Sequence, residues 1–134
     1  MQKQNNWGVS YSIISFFDGA LKGHTRVASH KRENDIQFLI FKENGDFLNV
    51  LLVDEYSIGL AAILRAKAEF PEIDYIVTGG AWNGYTPEAK EYGKRNGIGV
   101  FNTTEFFGAL NWDNPKEYHQ KDNNGAPHYA YKNP

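Results

Sequence analysis

The chain contains no cysteine among its 134 residues. That excludes disulfide staples, thiolate zinc sites and cysteine nucleophiles, and makes a reducing, cytoplasmic setting the expectation. Long apolar runs are also missing, and the opening MQKQNNWG lacks the hydrophobic segment of a secretion signal. Neither a membrane partner nor processing is expected. There is no large excess of one charge: 14 basic residues stand against 16 acidic ones, for a net charge of −2. Bulk charge therefore gives no signature of a polyanion or membrane partner. A G-x-S-x-G nucleophile turn, a G-x-x-x-x-G-K-[ST] phosphate loop and a G-x-G-x-x-G dinucleotide fingerprint do not occur, which removes the usual support for those chemistries. What is present, 41% hydrophobic and 15% aromatic residues in a length suited to one domain, is enough for a folded core.

Apolar periodicity sets the elements. Val9, Ile13, Phe16, Phe17 and Ala20 recur on one face of a helical period, so a helix is expected over residues 9–21, ending near Gly23. Residues 22–32 carry Lys22, His24, Arg26, His30, Lys31 and Arg32 with no acid among them, the one basic run of the chain. It reads as a solvated loop, with phosphate tracking as the functional alternative. Segments 36–42 and 47–53 read as two strands joined through Asn44-Gly45 in a tight hairpin. Both are apolar at nearly every position, which implies cover on both faces. Ser57 is the expected cap of a helix running to about Phe70, and residues 74–78 form a short buried strand. Thr86-Pro87-Glu88 then has the order of a cap, a first-turn proline and a first-turn acid. That helix ends near Asn96-Gly97, a strand follows at 98–101, and Thr104 is the expected cap of a last helix. Residues 1–110 thus read as a single α/β domain with a mixed sheet, a central antiparallel hairpin and flanking helices. Residues 111–134 change character and read as an irregular or partly disordered arm. His119 and His128 within it are too far apart for a helical metal pair and read as surface histidines.

A two-residue turn at Asn44-Gly45 makes Glu43 face Asp46, and counting outward puts Asp35 opposite Asp54 with Tyr56 on the same face. Directly opposed carboxylates approach closely enough to share one divalent cation such as Mg²⁺, which would activate a water.

An initial helix, a hairpin with an acid entering its first strand and another leaving its second, then a helix and a strand, resembles the core of the PD-(D/E)XK restriction-endonuclease-like superfamily. Ile76-Val77-Thr78-Gly79-Gly80, then Tyr85-Thr86-Pro87-Glu88-Ala89-Lys90 and Gly97-Ile98-Gly99-Val100-Phe101, is similar to the Mrr-type branch. The resemblance spans residues 9–110. It implies Asp35 and Asp54 as metal-binding acids with Mg as cofactor. The family's lysine position holds Tyr56, a phenol that is neutral at pH 7, and Lys67 on the following helix is the candidate replacement. Two functions follow as expectations. One is a non-catalytic or degenerate relative acting as a nucleic-acid or protein binding module, through Lys22, Arg26, Lys31, Arg32 and the loop bearing Trp82. The other is a Mg-dependent phosphodiester hydrolase with Asp35, Asp54 and Lys67 in the catalytic set. A homodimer hiding apolar surface is compatible with either.

Overall fold

A computed structural model describes residues 5–80, 82–119 and 123–125. The order is α1 (Tyr11–Lys22), β1 (Val27–Glu33), β2 (Gln37–Lys42), β3 (Phe47–Val53), β4 (Ser57–Ile58), α2 (Leu60–Glu69), β5 (Tyr75–Thr78), β6 (Gly84–Tyr85), α3 (Pro87–Asn96), β7 (Gly99–Asn102) and α4 (Thr103–Ala109). A 3₁₀ turn, Pro115–Glu117, follows. The main sheet has the order β1-β2-β3-β5-β7. Its first three strands form an antiparallel meander, and β5 and β7 are added parallel to β3.

The sheet is mixed because tight turns join β1, β2 and β3 whereas helices carry the chain from β3 to β5 and from β5 to β7. Both faces are covered. Phe17 of α1 meets Phe38 at 4.9 Å and Phe106 of α4 at 5.8 Å, so α1 and α4 share one layer. Helices α2 and α3 pack together on the other side, and a Cβ on Gly93 of α3 would meet Val100 of β7. The core therefore lies in two slabs around β3 and β5, where Leu52, Ile76 and Val77 are fully buried. No helix among the described residues is long and apolar enough to cross a membrane.

Four expectations are corrected. The basic run is a loop only at residues 23–26, with Lys22 ending α1 and residues 27–33 forming β1 at the edge of the sheet. Its sequence VASHKRE lacks apolar alternation because neither face of this strand is deeply covered. Ser57 does not cap α2; it pairs with Gly84 in a two-stranded parallel ribbon, and Gly59 occupies the cap position. Asn102, not Thr104, caps α4, in a capping box with Glu105. Finally, the β2–β3 hairpin is shifted by one residue. Phe41 pairs with Phe47, and Gly45 adopts φ +95°, so the loop has three residues ending in a left-handed glycine instead of two.

Candidate functional site

The one-residue shift decides the fate of the carboxylate pair. The β2–β3 ladder closes at Gln37 and Leu51. Asp35 lies beyond it, in the β1–β2 turn, where Asn34 and Asp35 take φ values of +46° and +70°. There it accepts hydrogen bonds from Arg32 at 2.9 Å and Asn5 at 2.8 Å, one on each carboxylate oxygen. Asp54 belongs to a different network, accepting from Asn83 Nδ2 at 2.8 Å. Lys67 meets neither acid. Its ammonium donates to the carbonyls of Pro71 and Ile73, at 2.7 and 3.0 Å, and so closes the C-terminal end of α2. Those carbonyls precede β5 while Asp54 sits level with its far end, a separation of roughly 10 Å or more for a strand of this length. Tyr56 is exposed beside Asp54. Asp35, Asp54 and Lys67 thus belong to three separate hydrogen-bond networks, with Lys67 at the opposite end of β5 from Asp54. Among the described residues no three His, Asp or Glu side chains gather in a metal-sized cluster.

The basic residues are distributed in a similar way. Lys22 and His30 both reach Asp18, at 3.2 and 2.8 Å, Lys31 reaches Glu33 at 3.3 Å and Arg32 reaches Asp35 at 2.9 Å. Burial pushes the Asp18 carboxyl up, but the hydrogen bonds from His30 and Lys22 outweigh it and hold this acid below its ordinary range. Arg26 is exposed just before β1. Acids interleave with the cations, so the run is a mixed-charge edge and not a cationic stripe.

A different set of groups converges at the C-terminal ends of β3, β5 and β7, the edge of an α/β sheet where ligands characteristically bind. Thr78, the last residue of β5, donates to the carbonyl of Glu55 at 2.7 Å and accepts from its N–H at 2.9 Å. Asn83 ties its own loop back with hydrogen bonds to Asp54, Thr78 and the carbonyl of Gly79. Thr103 closes the far side, donating to Thr78 O at 3.0 Å. The β4–β6 ribbon locks the loop further, since Gly84 N–H donates to Tyr56 O and Thr86 N–H to Ile58 O. This polar edge is extensively hydrogen-bonded, and the loop tied to it carries Trp82, 77% exposed.

Beside this edge, between α1 and α4, a groove of about 390 Å³ opens to solvent. Its apolar wall comes from Ile13, Phe16 and Phe17 of α1 with Phe107 of α4, and Leu52 of β3 forms its floor. Its polar lining comes from Ser12 of α1, Thr103 and Thr104 at the start of α4, and the backbone of Gly79 and Gly80. None of these residues is charged. Gly79 is required here, since a Cβ on it would lie 2.5 Å from Ile13 Cγ2. Phe16 is 67% exposed at the mouth. Sequence periodicity assigns Phe16 to the same buried face as Phe17 and misses the groove. The available signal was an apolar arc wider than the sheet needs, with Phe16 and Phe17 adjacent.

Beyond the groove lies a buried polar cluster. Lys90 of α3 donates to Val100 O at 2.6 Å and lies 3.8 Å from the centre of the Phe101 ring. Burial lowers its ammonium to a pKa of about 8. Tyr85 donates to Glu105 at 2.7 Å in the same interior. These groups are internal struts between α3, β7 and α4. In the arm, Lys116 pairs with Asp74 at 3.2 Å and Pro115 is buried, so the 3₁₀ turn packs on the sheet edge at β7. His119 meets Lys94 at 2.7 Å, whereas His128 lies outside the described residues.

Comparison of the chain with family models, with curated proteins and with solved structures finds no match to any of them.

Proposed function

We propose that this chain is a non-catalytic binding module that engages a protein partner at the C-terminal edge of its parallel strands. The observation that carries this reading is the open groove beneath Phe16. It is a concave, mostly apolar surface with a few polar atoms in its lining, the usual make-up of a recognition site. Exposed aromatic residues are the side chains most often found as anchors in protein interfaces, and Phe16 and Trp82 both rim this edge. A nucleic-acid partner is less well supported, because Lys22, Lys31 and Arg32 already face acids and the nearby edge carries Asp54 and Glu55. Hydrolysis by Asp35, Asp54 and Lys67 would need a convergence that their separate hydrogen-bond networks oppose. The relation to the restriction-endonuclease-like core belongs to this proposal. Its support is the order of helix, antiparallel strands, helix and parallel strand, with the acid positions of that family given over to structural contacts.

The test has two arms. Peptide-display panning on the chain, counter-selected on the Phe16→Asp, Trp82→Ala double variant, should enrich sequences that lose at least about tenfold in affinity on that variant. Incubation with Mg²⁺ or Mn²⁺ and single- or double-stranded DNA or RNA should give no cleavage. Metal-dependent cleavage that disappears in Asp54→Asn would overturn the proposal.

A further inference from the structure

The charge pattern around the groove narrows what can enter it. Its lining residues are uncharged, so a buried cation or carboxylate would lack a countercharge there. Immediately past Gly80 the situation changes. Gly80 lines the groove, and Asp54 Oδ1 lies 3.6 Å from where its Cβ would be. The Asp54 carboxylate is exposed and takes a hydrogen bond from Asn83, but it forms no ion pair with a described Lys, Arg or His. An uncharged apolar slot thus adjoins an acid held in place by a neutral amide.

We infer that the groove receives an aromatic side chain of the partner, and that a lysine or arginine next to that residue reaches Asp54. The inference rests on the binding reading above and specifies its recognition chemistry. An aromatic ring inserted between Phe16 and Phe107 would cover the face of Phe16 that the described residues leave exposed. The polar part of the lining suits the main-chain amides that flank such a side chain, since it includes the Thr103 and Thr104 hydroxyls and the backbone at Gly79 and Gly80. The neighbouring cation would find in Asp54 a carboxylate already oriented by Asn83. Asp54, the position that the nuclease resemblance assigns to metal binding, becomes in this reading a selector for a positively charged neighbour.

Capped dipeptides test this directly. Ac-Phe-Lys-NH₂ and Ac-Lys-Phe-NH₂, titrated into ¹⁵N-labelled protein, should shift the amide signals of Gly79, Gly80, Thr103 and Thr104, with binding in the millimolar range for at least one order. Replacing Phe by Ala in the better probe should weaken binding by about tenfold or more, because the apolar anchor is lost. Replacing Lys by Glu should weaken it by about threefold, as expected for a solvent-accessible ion pair. In Asp54→Asn the Lys and Glu probes should bind alike while both still require Phe, and in Phe16→Ala every probe should weaken. Both side chains are exposed, and an unchanged spectrum away from the groove verifies that each variant is folded. Absence of shifts at these four amides up to about 10 mM, or equal binding of the Phe and Ala probes, overturns the inference. A Lys preference that persists in Asp54→Asn overturns its electrostatic half. If display panning returns binders that depend on Trp82 but not on Phe16, the binding module stands and the aromatic anchor falls. Metal-dependent cleavage would remove the binding reading itself.

Discussion

Glycine 79 is the residue on which the groove depends. Its missing side chain lets α1 lie directly on the end of β5, and any Cβ would collide with Ile13 Cγ2. Gly79→Ala is therefore expected to cost about 1–3 kcal/mol by urea unfolding, the usual range for an overpacked contact. In an Ile13→Ala background most of that cost should vanish, because the colliding methyl is gone. Equal costs in both backgrounds would show that the clash is not the cause. Lys90 supplies a second residue-scale prediction. Its pKa is lowered from the ordinary 10.5 to about 8, first by burial, with the Glu105 carboxylate opposing the shift. Between about pH 8 and 10.5 the unfolded chain holds this proton and the folded chain has released it, so stability rises with pH across that window. Tyr75 acts in the opposite sense. Burial raises its phenol above the ordinary 10.0, so above about pH 10 the unfolded chain ionises first and stability falls. Urea midpoints measured from pH 7 to 11 should accordingly rise and then turn over. Lys90→Met should remove the rising limb, worth on the order of 1–3 kcal/mol, and leave the fall. A rising limb that survives in Lys90→Met would assign it to another group.

Helix ends separate what the sequence makes legible from what it hides. Thr86-Pro87-Glu88 and Gly97 bound α3 as expected, because each of those residues acts through its own backbone or first-turn contacts. At α4 both Asn102 and Thr104 have a capping side chain, and the choice falls on Asn102 because Glu105, three residues on, completes the box. Sequence inspection could have made that choice. Asn102→Ala should cost about 1 kcal/mol, and Glu105→Gln less, since an amide can still accept from the Asn102 N–H. Differential urea unfolding of the two variants checks the order, and a larger loss in Glu105→Gln would shift the weight to the Tyr85 contact. Strand β1 was not legible in the same way. An edge strand with both faces partly wet needs no apolar alternation, and its Lys, Arg and His residues are the kind that keep such an edge from pairing with another chain. The apolar runs of β3 and β5 could be read because they are buried on both sides, whereas β2 departs from that expectation, with Leu39 half-buried and Phe41 exposed on its second face.

At the scale of the molecule, the sheet and its helical layers were accessible from periodicity, but the site was not, because it depended on register. A three-residue loop in place of a two-residue one moves every β2–β3 pair by one position and, with the left-handed Asn34-Asp35 turn, directs Asp35 to Arg32 and Asn5. No local pattern distinguishes those loops when Asn-Gly fits both. The groove was hidden for a different reason, since it arises where α1 and α4, eighty residues apart in the chain, diverge above the ends of β3 and β5. The same long-range arrangement fixes the electrostatics. With a net charge of −2 and with Asp18, Glu33 and Asp35 set among the cations of α1 and β1, the surface near the basic run should neutralise few phosphates at once. Each neutralised phosphate contributes about −0.9 to the slope of log K against log salt concentration on double-stranded DNA. Any binding to a duplex measured by fluorescence anisotropy should therefore show a slope no steeper than about −2. Asp18→Asn, which frees Lys22 and His30 from their acid, should steepen it and tighten binding at low salt. A native slope of about −4 or beyond would mean that the ion pairs open in favour of phosphates, and β1 would then return as a nucleic-acid surface.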